Sequence, residues 1–291
     1  MHVIRKTLWA SETLQIGLFC AHPASDACGG VEWQATNAVV LPVSGLFSKH
    51  DAPGRYVIGT PSHAVFFAAA TPYRIGFPGA IGDRALVLRF EDALAPDHLD
   101  RRGRSGPSHG LLPPNAMMLR NLLWTRLKGA AADAFESEAL GLDLLSMALS
   151  SMRDGPLPLR RASLNRRRRA VECVKQAVAL APADKWDVAR LAKIANLSPF
   201  HLCHIFRQMV GTSIYGYVLQ ERLALALAAV LAGGKDLTAI ALDAGFASHS
   251  HFTARFRGFF GCTPSALRRL ATAEQVGELR KIMTARRRRF A

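Results

Sequence analysis

The chain has 291 residues, 49% hydrophobic and 20% charged. That supports about two domains with real cores and excludes wholesale disorder. The apolar run Leu223–Leu231 falls far short of the roughly 18–20 residues of a bilayer span. The net charge of +15 is unevenly spread: residues 1–155 hold 14 Lys+Arg against 14 Asp+Glu, residues 156–291 hold 23 against 8. A neutral half joined to a strongly basic half reads as a sensor or enzyme attached to a polyanion binder.

In chain order, Glu12 and Gln15 interrupt the first apolar stretch, and Phe19 before Cys20 is too bulky for a lipoprotein cleavage site, so no secretory signal is expected. The strand-length segments Leu14–Cys20, Ala38–Pro42, Tyr56–Ile58, Ala64–Ala69, Tyr73–Phe77 and Ala85–Phe90 follow, bounded by Gly, Pro and Asp. They predict a small β-barrel or sandwich. Beyond Pro114, apolar residues at helical spacing predict helices over Asn115–Lys128 and Ala134–Met152, whose stripes cover the barrel or pair with a second subunit. Gly155, Pro156 and Pro158 mark a connector, and Arg166–Arg169 read as a basic run at a helix start, where their charge opposes the helix dipole. From Ala170 to Leu270 no segment alternates like a strand. The expected division is residues 1–154, a basic linker 155–169, a helical domain 170–275 and a basic tail 276–291.

Five cysteines, odd in number and without a CxxC pair, read as reduced thiols in a cytosolic protein. Cys20, His22 and Cys28 form a short metal-like cluster, with Asp26 as the fourth donor a closed zinc site would need. Short mixed clusters often match by accident, and unlinked loop thiols are the plainer reading. The further histidines His50, His63, His98 and His109 are scattered, and the first half has no His-x-His pair. No cofactor is implied, and a non-enzymatic role is expected.

The basic half contains an internal repeat. Ser198, His201, Phe206, Arg207 and Gly211 recur fifty residues later as Ser248, His251, Phe256, Arg257 and Gly261. Each copy reads as helix, tight turn, helix. Asp187 caps Val188–Ala195, Ser198 caps a helix with Pro199 at its first position, and Gly211 ends it. Leu237–Ala244 and a helix capped by Ser248 form the second copy. Such units place their second helix in the major groove of duplex DNA. The intervening helix, Ser213–Ala232, spans roughly 30 Å, close to the ~34 Å between successive major grooves on one face of B-DNA.

With these motifs in place, the stretch Trp186–Arg269, and AGFASHSHFTARFRGFFGCTPSALR within it, closely resembles the paired helix-turn-helix domain of AraC/XylS transcription regulators. The first half resembles the cupin-like sensor and dimerisation domain common in that family more loosely. The resemblance implies an α+β multidomain chain, with a β-rich cupin-like barrel carrying helices and an all-α double helix-turn-helix domain. It also implies double-stranded promoter DNA and RNA polymerase as partners, a small-molecule effector, a homodimer, activation of transcription, no membrane and a cytoplasmic location. The alternative is a cupin-type metalloenzyme fused to a DNA reader.

Helical phase buries Leu202 and Phe206 and turns Phe200, Cys203, His204 and Arg207 outward; on the second helix the outward set is His249, Ser250, Thr253 and Ala254. By the resemblance, Phe200, Cys203 and His204 stand at base-facing positions and Arg207 at a phosphate-contacting or framework position. His and Ser can hydrogen-bond base edges, and the methyls of Thr253 and Ala254 can contact thymine. Arg255 and Arg257 suit phosphates or surface ion pairs equally. His201 and His251 are read as packing residues, and Arg286–Arg289 as an arm adding nonspecific affinity. Cys203 and Ala254 replace the longer polar groups frequent in the family, which shifts affinity toward shape and phosphate contacts.

Overall fold

A computed structural model describes residues 2–94, 109–128, 134–152 and 161–272. Nine strands open the chain: β1 (His2–Ala10), β2 (Leu14–His22), β3 (Asn37–Gly45), β4 (Phe47–Ala52), β5 (Arg55–Gly59), β6 (His63–Phe67), β7 (Arg74–Gly76), β8 (Asp83–Phe90) and β9 (His109–Leu111). They pair antiparallel into a six-stranded sheet of order β1-β2-β8-β3-β6-β9 and a three-stranded sheet of order β5-β4-β7.

The expected strand segments all lie in this region, and their lengths follow burial. β3 is buried along its first seven residues and β8 at six of its eight, because both faces of the large sheet are covered. One face, with Ala38, Val40, Val65, Phe67, Ala85 and Val87, packs against Phe47 and Val57 of the small sheet. The other, with Leu14, Ile16, Val39, Leu41, Leu86 and Leu88, packs against two helices. These are α1 (Pro114–Lys128) and α2 (Ala134–Ser151), each within a residue of its expected bounds. β1, β4 and β9 were not anticipated. β1 is a largely exposed edge strand with little alternation to read, β4 reads FSKHDA, and β9 is three residues long.

The rest is helical. α3 spans Arg161–Leu180, so Arg166–Arg169 sit inside a helix rather than at its start or in a connector. The run tolerates this place because Ala170, Val171, Val174 and Val178 supply the buried stripe while Arg166 and Arg169 stay exposed. α4 (Val188–Ala195), α5 (Pro199–Val210), α6 (Ile214–Ala232), α7 (Leu237–Asp243), α8 (His249–Phe260) and α9 (Pro264–Thr272) follow. The tail Arg286–Arg289 lies outside the described residues.

α6 joins the parts. Ile214, Tyr217 and Val218 on its first turns belong to a core with α3, α4 and α5. Leu223, Ala224, Leu227 and Val230 belong to a second core that combines α7, α8 and α9 with α1 and α2. Among the described residues α6 alone is long and apolar enough to cross a membrane, but half of it is buried within the fold, and it carries Gln220 and Glu221, both buried.

Candidate nucleic-acid interface

The fifty-residue repeat is a repeat of helix caps. Ser198 Oγ accepts from the backbone N–H of His201 at 3.3 Å, and Ser248 Oγ accepts from that of His251 at 3.1 Å. Both second helices end on a left-handed glycine, Gly211 at φ 81° and Gly261 at φ 86°, a conformation that glycine adopts without strain. The turns differ by the extra residue of the second copy. Asn196 takes φ 52° after α4, whereas the second turn uses Gly245 at φ 79°. A Cβ on Gly245 would come 2.7 Å from the backbone of Ala183, which excludes any larger residue there.

These caps fix which side chains leave the core. Leu202, Ile205 and Phe206 of α5, and Phe252, Phe256 and Phe260 of α8, are buried. Phe200, Cys203, His204 and Arg207 are exposed, as are His249, Ser250, Ala254, Arg255 and Arg257. Phe200 is 85% exposed. A phenyl ring left in water at the first turn of a capped helix has no packing role in the chain itself and suits contact with a base. Thr253 differs from the rest of its set: it is only half-buried, and its Oγ1 is turned inward without a hydrogen-bond partner. His251 is exposed but stands edge-on to Phe246 at 5.6 Å, and Arg255 Nε donates to its Nε2 at 3.4 Å. His201 is half-buried.

A second group of polar residues lies where this helical unit meets the sheets. Thr60 Oγ1, beyond β5, donates to Glu221 Oε1 of α6 at 2.7 Å and lies 2.8 Å from His63 Nδ1. Gln220 Nε2 donates to the Leu112 carbonyl at 3.1 Å. Glu172 of α3 accepts from the Ile58 backbone N–H at 2.7 Å and from Lys175 Nζ at 2.9 Å. Burial lifts the Glu221 carboxyl above its ordinary range, opposed by the Thr60 hydrogen bond. Burial, and then the Lys175 charge, push His63 and His109 well below theirs. Their rings lie 6.1 Å apart. Sequence reasoning left these two histidines scattered. No local signal joins His63 to Glu221, 3.9 Å away, or His109 to Glu172, 3.7 Å away, because each partner is distant in sequence.

A cavity of about 630 Å³ lies between the sheets, lined by Phe19, Phe47, Phe67, Tyr73 and Phe77 with Asp83 and Arg89 among the polar groups. Cys20, His22 and Cys28 do not assemble. Cys20 is half-buried and His22 exposed on β2, Cys28 is exposed in the following loop, and among the described residues no three His, Cys, Asp or Glu side chains converge.

Residues 191–270 match the family described as helix-turn-helix domain. Among curated proteins the chain is 25% identical over 239 residues to the probable transcriptional regulator LumQ of Photobacterium leiognathi, covering 77% of this chain and 92% of that one. It is 36% identical over 90 residues to the transcriptional activator RhrA of Rhizobium meliloti, covering 30% and 28%. Other matches at 30% or 31% identity likewise span less than a third of the relative's length. Among solved structures, ToxT from Vibrio cholerae aligns over 90% of this chain and 99% of its own at 12% identity, with a TM-score of 0.37.

Proposed function

From the premise that the C-terminal helices form an AraC-type helix-turn-helix domain, we propose that the chain is a sequence-specific regulator of transcription that grips promoter DNA in two successive major grooves. The observation that carries this reading is the pair of cap-matched units at the two ends of α6. Nineteen residues at 1.5 Å rise give a spacer of roughly 28 Å, near one turn of B-DNA. Phe200, Cys203, His204, His249, Ser250 and Ala254 face bases, while Arg207, Arg255 and Arg257 hold phosphates. Thr253 reaches a base only through its methyl, since its hydroxyl is turned inward. Genome-wide mapping of bound DNA followed by footprinting tests the reading. Two protected major-groove segments one helical turn apart are expected, and a single protected groove would sink it.

The reading extends to the first half. The cavity between the sheets serves a small-molecule effector, and the buried contacts from Thr60 to Glu221 and from Ile58 to Glu172 couple it to the DNA-binding helices. Residues 1–154 make the sensor and dimerisation domain, 155–169 the basic link and 170–275 the DNA-binding domain. The regulator works in the cytoplasm as a homodimer that recruits RNA polymerase. The name of the Rhizobium relative supports activation rather than repression. The cupin-type metalloenzyme alternative requires a converging set of metal ligands in the first half, and measuring metal bound to the purified protein separates it from the regulator reading.

A further inference from the structure

Alternation along β8 sends Asp83, Ala85, Val87 and Arg89 to the inner face of the large sheet, where Asp83, Val87 and Arg89 line the cavity. Asp83 is 5% exposed, and neither carboxylate oxygen meets a hydrogen-bond partner. Buried polar groups are almost always paired, and an uncompensated buried carboxylate costs several kcal/mol. Beside it the backbones approach closely: Gly45 and Gly82 both take positive φ, and a Cβ on Gly45 would lie 2.1 Å from the Gly82 carbonyl. Burial alone pushes the Asp83 carboxyl up to about 7, and no charged neighbour opposes the shift.

The surroundings favour a cation at this end. Phe47 and Phe77 wall the cavity beside Phe67, whose ring already has Lys49 Nζ 5.0 Å from its centroid, and aromatic faces attract positive charge. The cavity's own cations lie elsewhere. Arg89 is six residues along β8, roughly 20 Å at strand rise, where its Nη1 donates to Gln15 at 3.5 Å, and Arg5 pairs with Glu32 at 3.7 Å. The volume suits a small organic molecule.

We propose that this cavity binds a small organic amine, with its ammonium on Asp83 and its apolar body among Phe47, Phe67 and Phe77. The assignment rests on the reading of the cavity as an effector site and adds the ligand class. Its test is calorimetric titration of the full chain at pH 8 with tryptamine, phenethylamine and cyclohexylmethylamine, each paired with a carboxylate of matched body: indole-3-propionate, 3-phenylpropionate and cyclohexylacetate. At least one amine should bind one to one, at least about tenfold more tightly than its carboxylate, and Asp83→Asn should abolish that preference. Failure of all three amines, a preference for the carboxylates, or a preference that survives Asp83→Asn overturns the assignment. The comparison of amine with carboxylate uses only the unaltered protein, so it stands even if the variant folds poorly. Anisotropy on a mapped promoter fragment separates the two readings: an amine that binds at Asp83 and leaves DNA affinity unchanged refutes the effector role while the ligand class stands.

Discussion

The two halves of the molecule use charge in opposite ways. The first half has no net charge, yet it buries Lys49, His63, Asp83 and Arg120, and burial pulls the Arg120 guanidinium down to about 9. The second half carries the whole excess of +15 and leaves Arg207, Arg255 and Arg257 in water. Its own buried ions, Glu172, Lys175 and Glu221, include the two carboxylates that bond to the first half. Exposed charge supplies range and affinity and is screened by salt; buried charge resists screening, costs stability and makes sense only with a specific partner.

The contrast breaks most visibly in a salt titration. If the basic half makes six or more phosphate contacts, affinity for DNA should fall roughly a thousandfold or more between 50 and 200 mM salt. Anisotropy across that range checks it, and a flat logarithmic plot would mean that the exposed arginines do not carry binding. The corresponding test of the first half is a pH series on Asp83→Asn. Asp83 is raised in the folded state from 3.8 to about 7, so the folded protein holds a proton that the unfolded chain has lost. Its contribution is intact below about pH 4 and disappears as pH rises through 7. A rise of about three units corresponds to about 4 kcal/mol. Urea denaturation should therefore find Asp83→Asn near wild-type at pH 4 and more stable by up to about 4 kcal/mol at pH 8. A variant that is less stable at pH 8 would show that the carboxylate already has a favourable partner.

These two sites also differ in how visible they are in the sequence. The helices of the proposed DNA-binding face were legible almost to the residue, because their boundaries depend on local signals: Asp187, Ser198 and Ser248 as caps, Gly211 and Gly261 as ends, and apolar residues at helical spacing. The long strands were legible because their apolar runs are bounded by turn residues. β1 and β9 were not, since an exposed edge and a three-residue strand leave no pattern. Asp83 looked like punctuation before Ala85–Phe90, and nothing local shows that the opposing sheet closes over it. The pairing of Thr60 with Glu221, 161 residues apart, is a product of the tertiary fold alone. The arginine run misled because composition suggested a connector, whereas the valines that follow it continue the helix.

The boundary between the halves offers a smaller and more specific test. Glu221 accepts from Thr60 where water is excluded, so Glu221→Ala strips the Thr60 hydroxyl of its carboxylate acceptor, leaves it His63 Nδ1 alone as a side-chain partner, and should cost about 1–3 kcal/mol in urea denaturation. A double-mutant cycle with Thr60→Val should return a coupling of 0.5–3 kcal/mol on the usual scale for contacting residues, about 1 kcal/mol being expected. Additive losses would show that this hydrogen bond does not couple the two halves, and an effector would have to act on α6 through the Gln220–Leu112 bond or the shared apolar core.

The finest division lies within the proposed DNA-binding face itself. His204 and Arg257 are both exposed, on the two second helices, yet a base edge and a phosphate impose different demands. A base contact is discriminating because the wrong base leaves a donor or acceptor unmatched; a phosphate contact is the same at every sequence. His204→Ala should therefore lose about 1 kcal/mol on the mapped site and little on scrambled DNA. Arg257→Ala should weaken both equally and lower the salt slope by about one. Equal losses on both DNAs for both variants would erase the distinction. The +15 charge would then account for attraction to DNA, and the base-reading role of the first recognition helix would have to pass to Phe200 and the shape of the duplex.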